Sequence, residues 1–178
     1  MTRVCLIGND DCNLQYELLS RETSREALAT YDLTRPFENT IALRTVSVGA
    51  AVSLLNDLNW YLTRFVDEAL VQEPSISDDE WLSRSLAEQL RNGAVEPDET
   101  AEFCKIYGLE RVADTDTDSE DDPESAATDG DDSSETEPPS RLVEPLYVRR
   151  TAGELPDYDL RDVDETLVVR LTEAEHSP

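Results

Sequence analysis

Histidine is the commonest general base and transition-metal ligand, and this chain has one, His176, within its final residues. A Ser-His-Asp or Cys-His site is therefore not expected. Cys5, Cys12 and Cys104 lack the close paired spacing of a structural zinc site, and an odd number of cysteines argues against a disulfide framework. Packed, reduced thiols are the expectation. No G-x-G-x-x-G or G-x-x-x-x-G-K-[ST] pattern occurs. Asp10-Asp11 after an apolar run invites comparison with phosphoacceptor receiver domains. Such a domain also needs a lysine at a later strand end, whereas Lys105 falls in a predicted helix. No catalytic residue, no metal site and no cofactor is expected.

Two groups of side chains remain as candidates. If the first two strands are parallel, their carboxyl ends share one sheet edge. Asn9, Asp10 and Asp11 would then meet Ser47 and Gly49 beside the amino terminus of a helix, a natural anion site. Turn and cap roles are the more frequent use of these residue types, and two adjacent acids are weak grounds for a divalent cation. The second group is Trp60, Tyr61, Arg64 and Trp81, since aromatic residues with arginine are enriched at protein interfaces. Core packing competes with that reading. Arg149-Arg150 reads as salt-bridged rather than phosphate-binding, and with no larger basic cluster, nucleic acid is disfavoured.

Charge bounds the setting in which these residues act. The 178 residues carry 41 acids against 14 arginines and the single lysine Lys105, a formal net charge of −26. Twelve of the acids lie in residues 113–140, which hold no base, yet the remaining 150 residues still carry −14. Acidity spread in this way points to solvent adaptation rather than to one acidic tail. In about 1 M salt the Debye length is only about 3 Å, so the mutual repulsion is screened. A cytoplasmic, halophilic protein is expected, with no secretory signal and no stretch of the roughly 20 apolar residues a membrane span requires.

The elements that must position these residues follow from periodicity. Val4 to Ile7 is an apolar, β-prone run stopped at Gly8, and Leu14 to Tyr31 fits an interrupted helical face. Thr40 to Val48 reads as a second strand closed by Gly49. Ala51, Leu54, Leu55, Leu58, Leu62, Phe65 and Ala69 recur at spacings of three and four, which predicts one long central helix ending before Pro74. Ser77 to Glu80 reads as a capping box opening a helix to Asn92-Gly93, and Pro97 opens another to Tyr107-Gly108. Residues 113–140 contain no Leu, Ile, Val or aromatic residue and cannot offset their ordering entropy. Leu142 to Thr151 and Thr166 to Thr172 return to strand composition, and Pro145 suggests an edge position or a bulge for the first of them.

The expected fold is a single α+β domain. It has a small mixed sheet of about four strands, a β-α-β unit with a parallel crossover, three further helices and a C-terminal strand pair. Residues 1–112 and 141–172 would form it, with 113–140 a disordered acidic internal loop and 173–178 a free C-terminal tail.

Thr2-Arg3-Val4-Cys5-Leu6-Ile7-Gly8, Tyr16-Glu17-Leu18-Leu19-Ser20-Arg21-Glu22-Thr23, Val52-Ser53-Leu54-Leu55-Asn56-Asp57-Leu58-Asn59-Trp60 and Leu142-Val143-Glu144-Pro145-Leu146-Tyr147-Val148 together resemble an uncharacterised family of halophilic archaea. That resemblance implies no activity and no site residues. The leading expectation is a noncatalytic interaction or regulatory protein with a protein partner, bound neither to membrane nor to nucleic acid. The alternative is a small-ligand binder or enzyme using a strand-end crevice near Asp10 and Ser47.

Overall fold

β1 (Thr2–Gly8) is flanked by antiparallel strands on both sides, β2 (Thr40–Thr45) and β3 (Val66–Gln72). The computed structural model describes residues 1–111, 140–152, 154–159, 163 and 165–176. After β1 come helices α1 (Leu14–Leu19) and α2 (Glu22–Leu28), and after β2 come α3 (Val48–Asp57) and α4 (Asn59–Phe65). β4 (Trp81–Ser83) and α5 (Arg84–Arg91) follow β3, and a 3-10 turn (Pro97–Ala101) leads into β5 (Phe103–Arg111). β6 (Ser140–Arg149), β7 (Glu165–Leu171) and α6 (Glu173–His176) complete the described chain. The seven strands form one mixed sheet in the order β2-β1-β3-β4-β7-β5-β6, with β4 and β7 its parallel pair.

The sheet is curled. Phe37, just ahead of β2 at one edge, bridges Ser140 at the start of β6 at the other, and the Glu38 amide donates to the Ser140 carbonyl at 2.7 Å. One concave face therefore gathers residues from strands at both edges. Cys5, Ala42, Leu70, Trp81, Leu167, Val169 and Leu171 are buried there with Phe37, Phe103, Tyr107 and Leu142 against them. The convex face of β1, β2 and β3 presents Val4, Leu6, Ile41, Leu43, Ala69 and Val71 to the helices, which answer with Leu14, Leu18, Leu28, Ala51, Leu54, Leu55, Leu58 and Leu62. Strand alternation sends odd and even residues to these two cores. Cys5 and Leu70 therefore enter one core while Val4, Leu6, Ala69 and Val71 enter the other.

Several sequence expectations need correction. The sheet has seven strands, not about four, and β1 and β2 are antiparallel, so the β-α-β unit has no parallel crossover. The long helix ends at Asp57, restarts as α4, and gives way to β3 at Val66. A strand buried on both faces has a continuous apolar run that periodicity cannot separate from a helix. Ser77 supplies only half a capping box: its Oγ accepts from the Glu80 amide at 3.0 Å, but the Glu80 carboxylate turns to Arg150 and Arg170, and Ser83 caps α5 instead. Pro97 opens only a 3-10 turn, and the predicted helix beyond it is β5.

The C-terminal strands β6 and β7 are not a pair, since β5 lies between them. β6 is the edge strand, and its register shifts opposite Ile106 and Gly108, where Pro145 falls. Of the expected tail, residues 173–176 form α6, where the Ser83 hydroxyl donates to Glu175 at 2.6 Å and His176 lies 5.0 Å from the Phe103 ring, and residues 177–178 lie outside the described residues. Of the expected disordered loop, residues 113–139 lie outside the described residues, and Ser140 opens β6.

Candidate functional site

The turn that follows β1 is built by Asn39, the residue that precedes β2. Asn39 adopts a left-handed φ of 57°, a conformation asparagine tolerates better than most residues. Its Oδ1 accepts from the Leu14 amide at 2.8 Å, and its Nδ2 donates to the carbonyls of Asn9 and Cys12, each at 3.0 Å. Gly8 must be glycine for this clamp to close, because a Cβ there would stand 2.7 Å from Asn39 Nδ2 and 2.8 Å from Leu14 Cβ. Asn9 is spent on the same turn, donating to the Arg64 carbonyl and accepting from the Asp11 amide, both at 3.1 Å.

Asp10 and Asp11 are exposed and line an open depression of about 440 Å³ with Gln15, Arg35 and Glu38. Burial, and then the charges of Asp10 and Asp11, push the nearby Asp67 carboxyl above its ordinary range. Among the described residues, no group of three or more His, Cys, Asp or Glu is arranged to hold a metal ion.

Ser47 and Gly49 do not meet these residues. Thr2 faces Thr45 and Ile7 faces Thr40, so Ser47 lies at the opposite end of β1 from Asn9, roughly 20 Å away at strand rise. There the Ser47 hydroxyl accepts from the Ala50 amide at 3.1 Å as the cap of α3, and Gly49 sits in the first turn. The antiparallel pairing thus separates the five residues into two unrelated local structures.

The aromatic candidates also divide. Trp60, Tyr61 and Arg64 share α4, and the Arg64 guanidinium lies 3.9 Å from the centroid of the Trp60 ring. Tyr61 meets Trp60 edge-on at 5.0 Å, and Arg21 reaches over Phe65 at 5.1 Å and Trp60 at 5.9 Å. Trp60 is 48% exposed, so this stack faces solvent. Tyr16 on α1, a helix packed against α4, is exposed as well. Trp81 is 4% exposed inside the curled sheet beneath the Arg3 guanidinium, and it offers nothing to that surface.

Two ionic clusters lie apart from these candidates, and of their members only Arg150 is expected from sequence to be salt-bridged. On the concave face the single lysine, Lys105, donates to Glu68, which also accepts from the Tyr107 hydroxyl at 3.0 Å. Glu80 accepts from Arg150 and from Arg170, both at 2.8 Å, while Arg170 also donates to the Thr100 hydroxyl at 2.8 Å. Burial opposes the Glu80 charge, but the hydrogen bonds and charges of Arg170 and Arg150 outweigh it and hold the carboxyl below its ordinary range. Arg149 pairs with Glu102, so both members of the basic pair are salt-bridged. The only sequence signal for the concave cluster was a lysine in a chain that otherwise uses arginine. Nothing in the spacing tied it to Glu68.

The thiols are poor nucleophiles. Burial pushes Cys5 up to about 12 and raises Cys104 against the influence of Arg150. Burial, with the Glu17, Asp11 and Asp67 carboxylates, also raises Cys12 against a backbone hydrogen bond at Asn9. Thiolate is the reactive form, so these environments favour packing over chemistry.

This architecture defines a small mixed α+β protein, a curled seven-stranded sheet carrying a helical layer on one face. The chain belongs to a family of unknown function (DUF5804), which matches residues 2–109 and so ends before β6 and β7. No curated protein and no solved structure matches it. No helix among the described residues is long and apolar enough to cross a membrane.

Proposed function

We propose that this is a noncatalytic cytosolic interaction protein of a salt-accumulating organism, and that it docks an acidic segment of a protein partner on the exposed face of α4. The observation that carries this reading is the Arg64 guanidinium stacked at 3.9 Å on the half-exposed Trp60 ring. Tryptophan and arginine are frequent anchors at interfaces. Stacking presents the edge of the guanidinium outward, the geometry that binds carboxylate. Arg64 spends one weak bond, 3.3 Å long, on the Trp60 carbonyl and has no carboxylate partner among the described residues. In a chain so rich in acids, that leaves a local cation for an acidic partner to complement.

Affinity purification in molar potassium chloride tests this, with the full chain compared against Trp60→Ala and Arg64→Gln. The reading requires a partner retained by the full chain, lost by both variants and cross-linked to α4. Retention of the same proteins by all three chains would overturn it. The salt adaptation has its own test. The −14 outside residues 113–140 should destabilise the fold in dilute buffer, so a thermal midpoint equal in about 0.1 M and about 2 M potassium chloride would refute it.

A further inference from the structure

Arg3 on β1 and Arg44 on β2 are direct register partners. Antiparallel partners point to the same face with Cβ atoms about 5 Å apart, an arrangement that is destabilising for like charges. This chain has 15 bases against 41 acids, and it sets two of those bases opposite each other. Neither has a carboxylate partner among the described residues. Arg3 donates to the neutral Gln72 at 2.9 Å and lies over the Trp81 ring, and the Arg44 guanidinium makes no hydrogen bond or ion pair among the described residues. By contrast Arg141, Arg149, Arg150 and Arg170 each pair with a carboxylate.

The two guanidinium-bearing residues line a cavity of about 520 Å³ whose walls include Thr30, Tyr31, Asp32 and Thr34. That volume lies in the range of small-molecule sites. Two arginines without an ion-pair partner, against one carboxylate on the wall, leave a net positive cavity that also offers hydroxyl groups, the complement of an oxyanion. Two cations match a dianionic phosphate better than a single carboxylate, and arginine recognises phosphate with paired donors. Asp32 supplies an acceptor for a hydroxyl or amino group on the same ligand.

We infer that Arg3 and Arg44 hold the phosphate group of a small phosphorylated molecule seated in this cavity. The site is separate from α4 and independent of partner docking. Isothermal titration of the full chain with inorganic phosphate, in potassium chloride held at constant ionic strength, tests the assignment. Saturable binding is expected, together with a phosphate-dependent rise of the thermal midpoint as ligand linkage requires. Arg44→Gln should weaken phosphate binding by about tenfold or more, the loss expected for one charge-assisted contact. Without phosphate that variant should unfold at an equal or higher temperature, because cross-strand repulsion is relieved.

Arg35→Gln, at an exposed arginine lining a different depression, serves as the control for general charge and should bind phosphate as the parent does. Absence of phosphate binding by the parent chain would overturn the inference. So would equal binding by Arg44→Gln, or an equal loss in Arg35→Gln. Acetate binding as tightly as phosphate would overturn the phosphate assignment.

Discussion

Lys105 on β5 and Glu68 on β3 form an ion pair across the concave face, although two strands, β4 and β7, lie between their own in the sheet. Three strand spacings are about 14 Å, and the registers set Lys105 level with Gln72, four residues from Glu68, so a flat sheet would hold the pair about 19 Å apart, beyond the combined reach of a lysine and a glutamate. The pair exists because the sheet curls, and it ties the two halves of the sheet together.

Breaking that pair should therefore be costly. The side chains are 8% and 18% exposed, so Lys105→Met leaves a carboxylate with poor access to water. A loss of about 3 kcal/mol is expected, the low end for orphaning one partner of a buried pair. Lys105→Met combined with Glu68→Leu should recover most of it, because desolvating two charges offsets much of what their attraction supplies. Thermal unfolding of the three chains measures this. A double variant as unstable as the single would show that the pair itself, and not the orphaned charge, holds the sheet.

Glu80 makes a prediction in pH. Its folded-state pKa is depressed, so the unfolded chain binds the proton more readily, and the stability it contributes is present at neutral pH. That contribution is lost as pH falls from the ordinary glutamate value of about 4.3 through the lower folded value. Glu80→Gln should cost about 3 kcal/mol at pH 7, since Arg150 and Arg170 lose their shared carboxylate. The gap between parent and variant should close as the solution is acidified at constant ionic strength. Subtracting the variant removes the other carboxyls from the comparison. A gap that stays constant down to pH 3 would place the role of Glu80 elsewhere.

What was legible in the sequence was what alternation or turn chemistry alone determines. β1, β2, β6 and β7 stand close to where their β-branched runs place them, and Leu167, Val169 and Leu171 are buried as their alternation requires. β3 and β5 carry helix signals for different reasons. Val66, Ala69 and Leu70 continue the three-and-four spacing of the preceding helices, while Ala69 to Gln72 are buried in succession. Phe103 to Ile106 reads apolar, apolar, polar, apolar without strand alternation, and it follows a proline well suited to a helix start. The candidate site depended on strand direction, which no residue announces. One antiparallel pairing sent Ser47 and Gly49 away from Asp10 and set Arg3 opposite Arg44.

The β5–β6 ladder makes residues 112–139 replaceable. Arg111 and Ser140 are register partners, so the chain leaves and re-enters the sheet at directly opposed positions. A two-residue hairpin turn can join such a pair, with asparagine-glycine the favoured choice. A chain carrying Asn-Gly in place of 112–139 should keep the thermal midpoint of the parent within a few degrees in molar salt. Failure to fold would give that segment a structural role its composition does not suggest.

The strongest test of the architecture lies in β7, which joins β4 in parallel on one side and β5 in antiparallel on the other. Truncation before Thr166 should cut the sheet into two parts and abolish cooperative unfolding. Point substitutions separate register from mere burial. Leu171 faces Phe103 and is 4% exposed, so Leu171→Asp places a carboxylate against an aromatic ring and should cost several kcal/mol. Val169 is fully buried but faces Lys105, so an aspartate there finds a cation already engaged by Glu68. Val169→Asp should be less damaging than Leu171→Asp, and adding Glu68→Gln should restore stability by releasing Lys105 to the new carboxylate. If Glu68→Gln worsens Val169→Asp, then Lys105 and residue 169 are not partners and the register of β5 on β7 is wrong.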